Sequence, residues 1–139
     1  MTTTDRNIDT GFDSYIFNAT DPDHRNFSPA LAKRLRMERK VCKALVKAGL
    51  ARGHSASVCD GEEWTVKLSK HLRTIMLALA STDGDTLRFR DASGNKVADF
   101  FLVYGNDGYD VICDYSLTDE AEAIYAELKP LLDRLESEA

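Results

Sequence analysis

Asp99 and Asp114 are the two residues whose type and spacing best suit chemistry in this chain. The runs Lys96–Tyr104 and Tyr109–Tyr115 read as antiparallel strands turned through Gly105-Asn106-Asp107-Gly108. Setting Tyr104 opposite Tyr109 puts Asp99 opposite Asp114, Phe101 opposite Ile112 and Val103 opposite Asp110. Two facing carboxylates could work as an acid/base pair or help hold a cation. Arg88, expected beside Asp99 on the preceding strand, offers a simpler account: an Arg88–Asp99–Asp114 row neutralised within the sheet. Metal sites usually recruit histidine or more carboxylates, and none is expected beside this pair.

Other acid clusters are turns first. Asp60-Gly61-Glu62-Glu63-Trp64 sets three acids beside a tryptophan, which reads as a hairpin tip with solvated charges and a core Trp. Asp83-Gly84-Asp85 lacks the spaced ligands and distal glutamate of a calcium loop. His24, His54 and His71 are scattered, without metal-ligand spacing or an evident nucleophile and orienting acid. No phosphate-binding glycine loop, dinucleotide fingerprint or nucleophile elbow occurs. An enzyme of unknown class would need a pocket gathering His54 or His71 with Glu62, Glu63 or Asp114. No catalytic residue, metal ligand or cofactor is assigned.

Charge is the other handle. The formal net charge is −5, unevenly spread. Residues 28–54 hold eight basic side chains and one acid, Glu38, whereas residues 1–27 hold five acids and two bases. Arg36, Arg39, Lys40, Lys43 and Lys47 on one helix could track phosphates. They read as spread around much of that helix, without a helix-turn-helix or interleaved aromatics. A solvated or internally neutralised helix is the blander reading, and nucleic-acid binding is kept as the alternative.

The elements that position these residues follow in order. Ser28-Pro29 opens a helix, capped by the serine, with Leu31, Leu35, Val41, Cys42, Leu45, Val46 and Ala48 at helical spacing and Gly49 or Gly53 at its end. A hairpin follows over His54–Cys59 and Trp64–Leu68, Val58 opposite Trp64 and Ala56 opposite Val66. Ser69 caps a second helix striped by Leu72, Ile75, Met76 and Leu79. Thr86–Arg90, Lys96–Tyr104 and Tyr109–Tyr115 make a three-stranded meander, with Arg88 facing Asp99 and Arg90 facing Val97. Ser116 or Thr118 caps a third helix that Pro130 should break or kink near Leu128.

The fold class is therefore α+β: an antiparallel sheet of a hairpin plus a three-stranded meander with three helices, in the order α-β-β-α-β-β-β-α. Leu87, Phe89, Ala98, Phe100, Leu102, Tyr104, Tyr109, Val111, Cys113 and Tyr115 form its core face, covered by the helices. Residues 28–139 make one domain. Residues 1–27, rich in Thr, Asp and Asn, read as a flexible arm whose Tyr15-Ile16-Phe17 cluster docks on the domain or on a partner.

Composition fits an ordinary globular protein, 43% apolar and 29% charged. No stretch approaches a membrane span, and Met1–Asp5 does not resemble a signal peptide, so a cytoplasmic protein without membrane contact is expected. Cys42, Cys59 and Cys113 suit neither a disulfide framework nor a zinc site and read as core residues.

Asp60-Gly61-Glu62-Glu63-Trp64-Thr65-Val66-Lys67 and the run Leu102–Ile112, with Ser81-Thr82-Asp83 and Arg90-Asp91 between them, resemble small uncharacterised accessory proteins of bacterial plasmids, phages and integrated elements. The similarity covers roughly residues 40–135 and carries no known activity, ligand or catalytic residue. It implies only an accessory protein in bacterial cytoplasm. The expected function is a non-catalytic binding or regulatory module acting through a protein partner. Its interface would be the mixed sheet face of Phe101, Ile112, Val103, Arg88, Asp99 and Asp114. Self-association into a homodimer stays open.

Overall fold

Ser28 Oγ accepts a hydrogen bond from Leu31 N at 3.1 Å, and Pro29 follows at the first helical position. Helix α1, Pro29–Ala51, starts there in the computed structural model, which describes residues 28–139. The arm expected over residues 1–27, with its Tyr15-Ile16-Phe17 cluster, lies outside the described residues. Helix α1 runs straight through Gly49 and ends where Gly53 takes a positive φ of 87°. Gly49 is therefore a packing residue rather than a cap.

The observed order is the expected one. Strands β1 (Ser55–Cys59) and β2 (Trp64–Ser69) form the hairpin, helix α2 spans Leu72–Ala78, and β3 (Gly84–Arg90), β4 (Lys96–Val103) and β5 (Ile112–Tyr115) form the meander before helix α3, Asp119–Glu138. The five antiparallel strands lie in the order β2-β1-β3-β4-β5. The helices pack on one face, where Ala56, Val58, Leu87, Phe89, Ala98, Phe100 and Leu102 are closed off from solvent. Burial of this apolar layer is the main force holding sheet and helices together.

Register departs from expectation in three places. In the first hairpin Val58 pairs with Val66 and Ala56 with Ser69, not with Trp64 and Val66. The cause is a four-residue loop: Asp60 N donates to Glu63 O at 3.0 Å, and Asp60 Oδ1 accepts from the amides of Glu62 and Glu63. Arg90 pairs with Lys96 rather than Val97 because the ladder shifts between Phe89 and Arg90. Strand β5 begins only at Ile112, so Tyr104 and Tyr109 do not pair. Instead Gly105 N donates to Glu38 Oε2 at 2.8 Å, and Gly108, at φ 103°, fits against Met37 of α1. Docking on the helix turns a short hairpin into a longer loop.

A bulge at Cys113 re-sorts β5 as well. Phe101 pairs with Asp114 and Leu102 with Ile112, leaving Cys113 between them. Asp99 therefore does not face Asp114; its backbone bonds Ser116 instead. Ile112 packs against the core, and Cys113, expected inside, is exposed. Cys59 is half-buried, and only Cys42 behaves as the expected core thiol.

Two helix expectations also change. Helix α2 starts at an uncapped His71, while Ser69 Oγ accepts from His71 N at 3.1 Å, two residues before the helix's cap position. Helix α3, capped by Thr118, runs unbroken through Pro130. Pro130 and Ala126 are both exposed, so the carbonyl deprived of its partner lies on the watered side of the helix.

Candidate anion-binding groove

The five basic residues of α1 converge. At about 100° per residue, positions 36, 40, 43 and 47 follow steps of four, three and four residues, and so share one stripe, with 39 at its edge. The sequence expectation that they spread around the helix is corrected by this count. The apolar residues Val41, Cys42, Leu45, Val46 and Ala48 occupy the opposite side, buried against the sheet and α3.

The stripe borders helix α3. Arg36, Arg39, Lys40, Lys43 and Lys47 line a groove of about 460 Å³ with Ala44, and α3 closes it with Leu131 and Arg134. Among the described residues that line it, six of eight are cationic and none is acidic. The stripe from Arg36 to Lys47 runs about 16 Å along the axis at 1.5 Å per residue. Arg134 was missed by sequence reasoning. Its signal, a basic residue three positions after Leu131, means something only once α3 is known to lie beside α1.

The other predicted surface divides. Arg88 Nε and Nη2 donate to Asp99 Oδ1 and Oδ2 at 2.9 and 3.1 Å, a two-pronged pair across β3 and β4. Asp99 is buried, and its bond holds the Arg88 guanidinium charge more firmly still. The same guanidinium lies 4.8 Å over the ring of Trp64, which sits half-buried on the helix-free face instead of in the core. Phe101 and Val103 are each 38% exposed, Asp114 is exposed, and Ile112 has left the row.

His54 takes a partner other than Glu62 and Glu63. His54 Nε2 bonds Glu120 Oε2 at the start of α3, and Arg52 reaches both Glu120 and Glu127. His54 thus lies at the opposite end of β1 from Glu62 and Glu63. The bond from His54 holds the Glu120 carboxyl below its usual range. These contacts tie the end of α1 to α3 and so fix the groove's walls. Among the described residues no group of three His, Cys, Asp or Glu could hold a metal ion.

A buried polar cluster lies under the other end of the groove. Asp85 Oδ2 accepts from Ala80 N at 2.9 Å and from the Tyr104 hydroxyl. Glu38 accepts from Gly105 N, with Arg34 Nε 3.7 Å away. Burial raises both carboxyl pKa values, and pushes the Cys42 thiol well up, making it a poor nucleophile.

No protein family matches the chain, and neither a curated protein nor a solved structure matches it significantly.

Proposed function

We propose that this protein binds nucleic acid by its phosphate backbone, held in the groove between α1 and α3. The supporting observation is the convergence of Arg36, Arg39, Lys40, Lys43, Lys47 and Arg134 on one groove. Cations fixed along about 16 Å of a helix suit a regularly charged polymer better than a single small anion. Binding releases condensed counterions, so affinity falls steeply with salt. The cations among the described lining residues suit contacts that position a phosphate backbone.

Fluorescence anisotropy on a labelled duplex tests this. Changing Arg36, Lys40, Lys43 and Lys47 together to Gln removes up to four phosphate contacts and should flatten the log–log salt slope by roughly 3 to 4. A slope and affinity equal to those of the unchanged chain would overturn the reading.

The second reading keeps a protein partner on the helix-free sheet face, and the adjacent exposure of Phe101 and Val103 favours it. Phe101→Asp with Val103→Asp should abolish capture of that partner; retained capture rejects the interface. We place either activity in the bacterial cytoplasm, in the mobile-element setting that the sequence resemblance implies. Among the described residues no helix is long and apolar enough to cross a membrane.

A further inference from the structure

Leu68 occupies a backbone conformation that leucine adopts reluctantly. Its φ is +53°, in the left-handed region that costs a residue with a Cβ about 1–2 kcal/mol. The chain reaches it at a bulge, where β2 spends one more residue than β1 between the pairs Val58–Val66 and Ala56–Ser69. Ser57 Oγ pins the bulge by accepting from Leu68 N at 2.9 Å. The result is a leucine side chain 59% exposed on the helix-free face. Glycine would take this conformation without strain, so the bulge serves to aim a side chain, and such strain gathers where ligands are held.

What lies beside Leu68 defines the ligand. Ser57, Trp64, Lys67, Leu68, Arg88 and Arg90 line a depression of about 240 Å³. The Trp64 ring, with the Arg88 guanidinium 4.8 Å over one face, supplies a planar aromatic and cationic surface, and the Leu68 side chain an aliphatic one. Among the described residues that line it, three are cations and none is a carboxylate. Arg88 is neutralised by Asp99, so the charge offered to a ligand comes from Lys67 and Arg90, the latter steadied by Gly94 O at 3.0 Å. A planar aromatic group attached to a negative charge complements this surface.

We propose that this depression binds an unpaired base of single-stranded nucleic acid, stacked against Trp64 and Leu68, with its phosphate on Lys67 and Arg90. Stacking on an aromatic platform with a basic rim is a sequence-tolerant way to hold a single strand. The site shares no residue with the α1–α3 groove and lies across the sheet from it, so each stands or falls separately.

Trp64 is the only tryptophan of the chain and reports directly. Titrating the full chain with a short oligothymidylate should quench its fluorescence, whereas an abasic oligonucleotide with the same phosphates should not. Leu68→Gly, which suits the backbone and keeps the fold, should weaken the quenching affinity about tenfold. Lys67→Gln with Arg90→Gln should weaken it and reduce its salt dependence. The four-residue Gln variant of the groove should leave the quenching intact. Absence of quenching, equal quenching by the abasic strand, or unchanged affinity in both depression variants would overturn the proposal. Tighter quenching by an acidic, tyrosine-containing peptide would overturn it too, assigning the depression to a protein ligand.

Discussion

Phe89 fills the space that a side chain on Gly49 would need: a Cβ built there would lie 2.1 Å from the ring's Cε1. Helix α1 can approach β3 this closely only because residue 49 has no side chain. Gly49→Ala should therefore destabilise the protein by about 3 kcal/mol, despite alanine's better helix propensity. Shortening the ring in a Gly49→Ala, Phe89→Leu double variant should recover part of that loss. Urea unfolding of the two single variants and the double would show it, and strictly additive losses would refute the contact's role.

Asp99 and Asp114 should behave quite differently. Asp99 is buried and bonded twice by Arg88, so Asp99→Asn should cost about 2 kcal/mol. Asp114 is exposed and opposite Phe101, so Asp114→Asn should change stability by less than ~0.5 kcal/mol. Thermal unfolding compares the two directly. Equal effects would restore the facing pair that β5's bulge removes.

Glu38 and Asp85 should make the fold less stable as pH rises through their range. Burial raises both pKa values in the folded state above their ordinary values of 4.5 and 3.8. A raised carboxyl binds more protons folded than unfolded, so its favourable contribution is full below the ordinary value. It is lost as pH rises through the folded one. Glu38→Gln, which can still accept from Gly105 N, should remove its share of this loss. Urea midpoints of the two proteins should thus diverge in favour of the variant over the interval that opens as pH rises from Glu38's ordinary value of 4.5. A constant difference across that interval would contradict the assignment.

The basic groove shows how a candidate site can be half legible. Arg36, Lys40, Lys43 and Lys47 stand at helical spacing in the sequence, and their common stripe follows from the helix period alone. Their environment does not. Whether a cationic stripe faces water, carboxylates or another cationic wall depends on the neighbouring helix. Here that helix brings Leu131 and Arg134, more than eighty residues away. The depression at Trp64 was less legible still, because Trp64 read as core and Leu68 as an ordinary strand residue.

By itself the sequence determined the element order, the cap at Ser28, the choice of Ser116 or Thr118 as cap of the third helix, and the pairing of Arg88 with Asp99. All of these are local matters. Capping hydroxyls meet amides three residues on, and Asp91 Oδ1, by accepting from Ser93 N and Asn95 N, sets the turn between β3 and β4 that, with the shift after Phe89, leaves Arg88 beside Asp99. Tertiary structure alone decided the bulges at Leu68 and Cys113, the loop that Glu38 draws onto α1, and the passage of α3 through Pro130. A bulge adds one residue to a strand and flips every later side chain, yet leaves the alternating pattern readable in either register. A loop's path likewise turns on one hydrogen bond between residues 67 positions apart, which no local propensity encodes. Local hydrogen bonding wrote the elements, and long-range packing decided which faces they present.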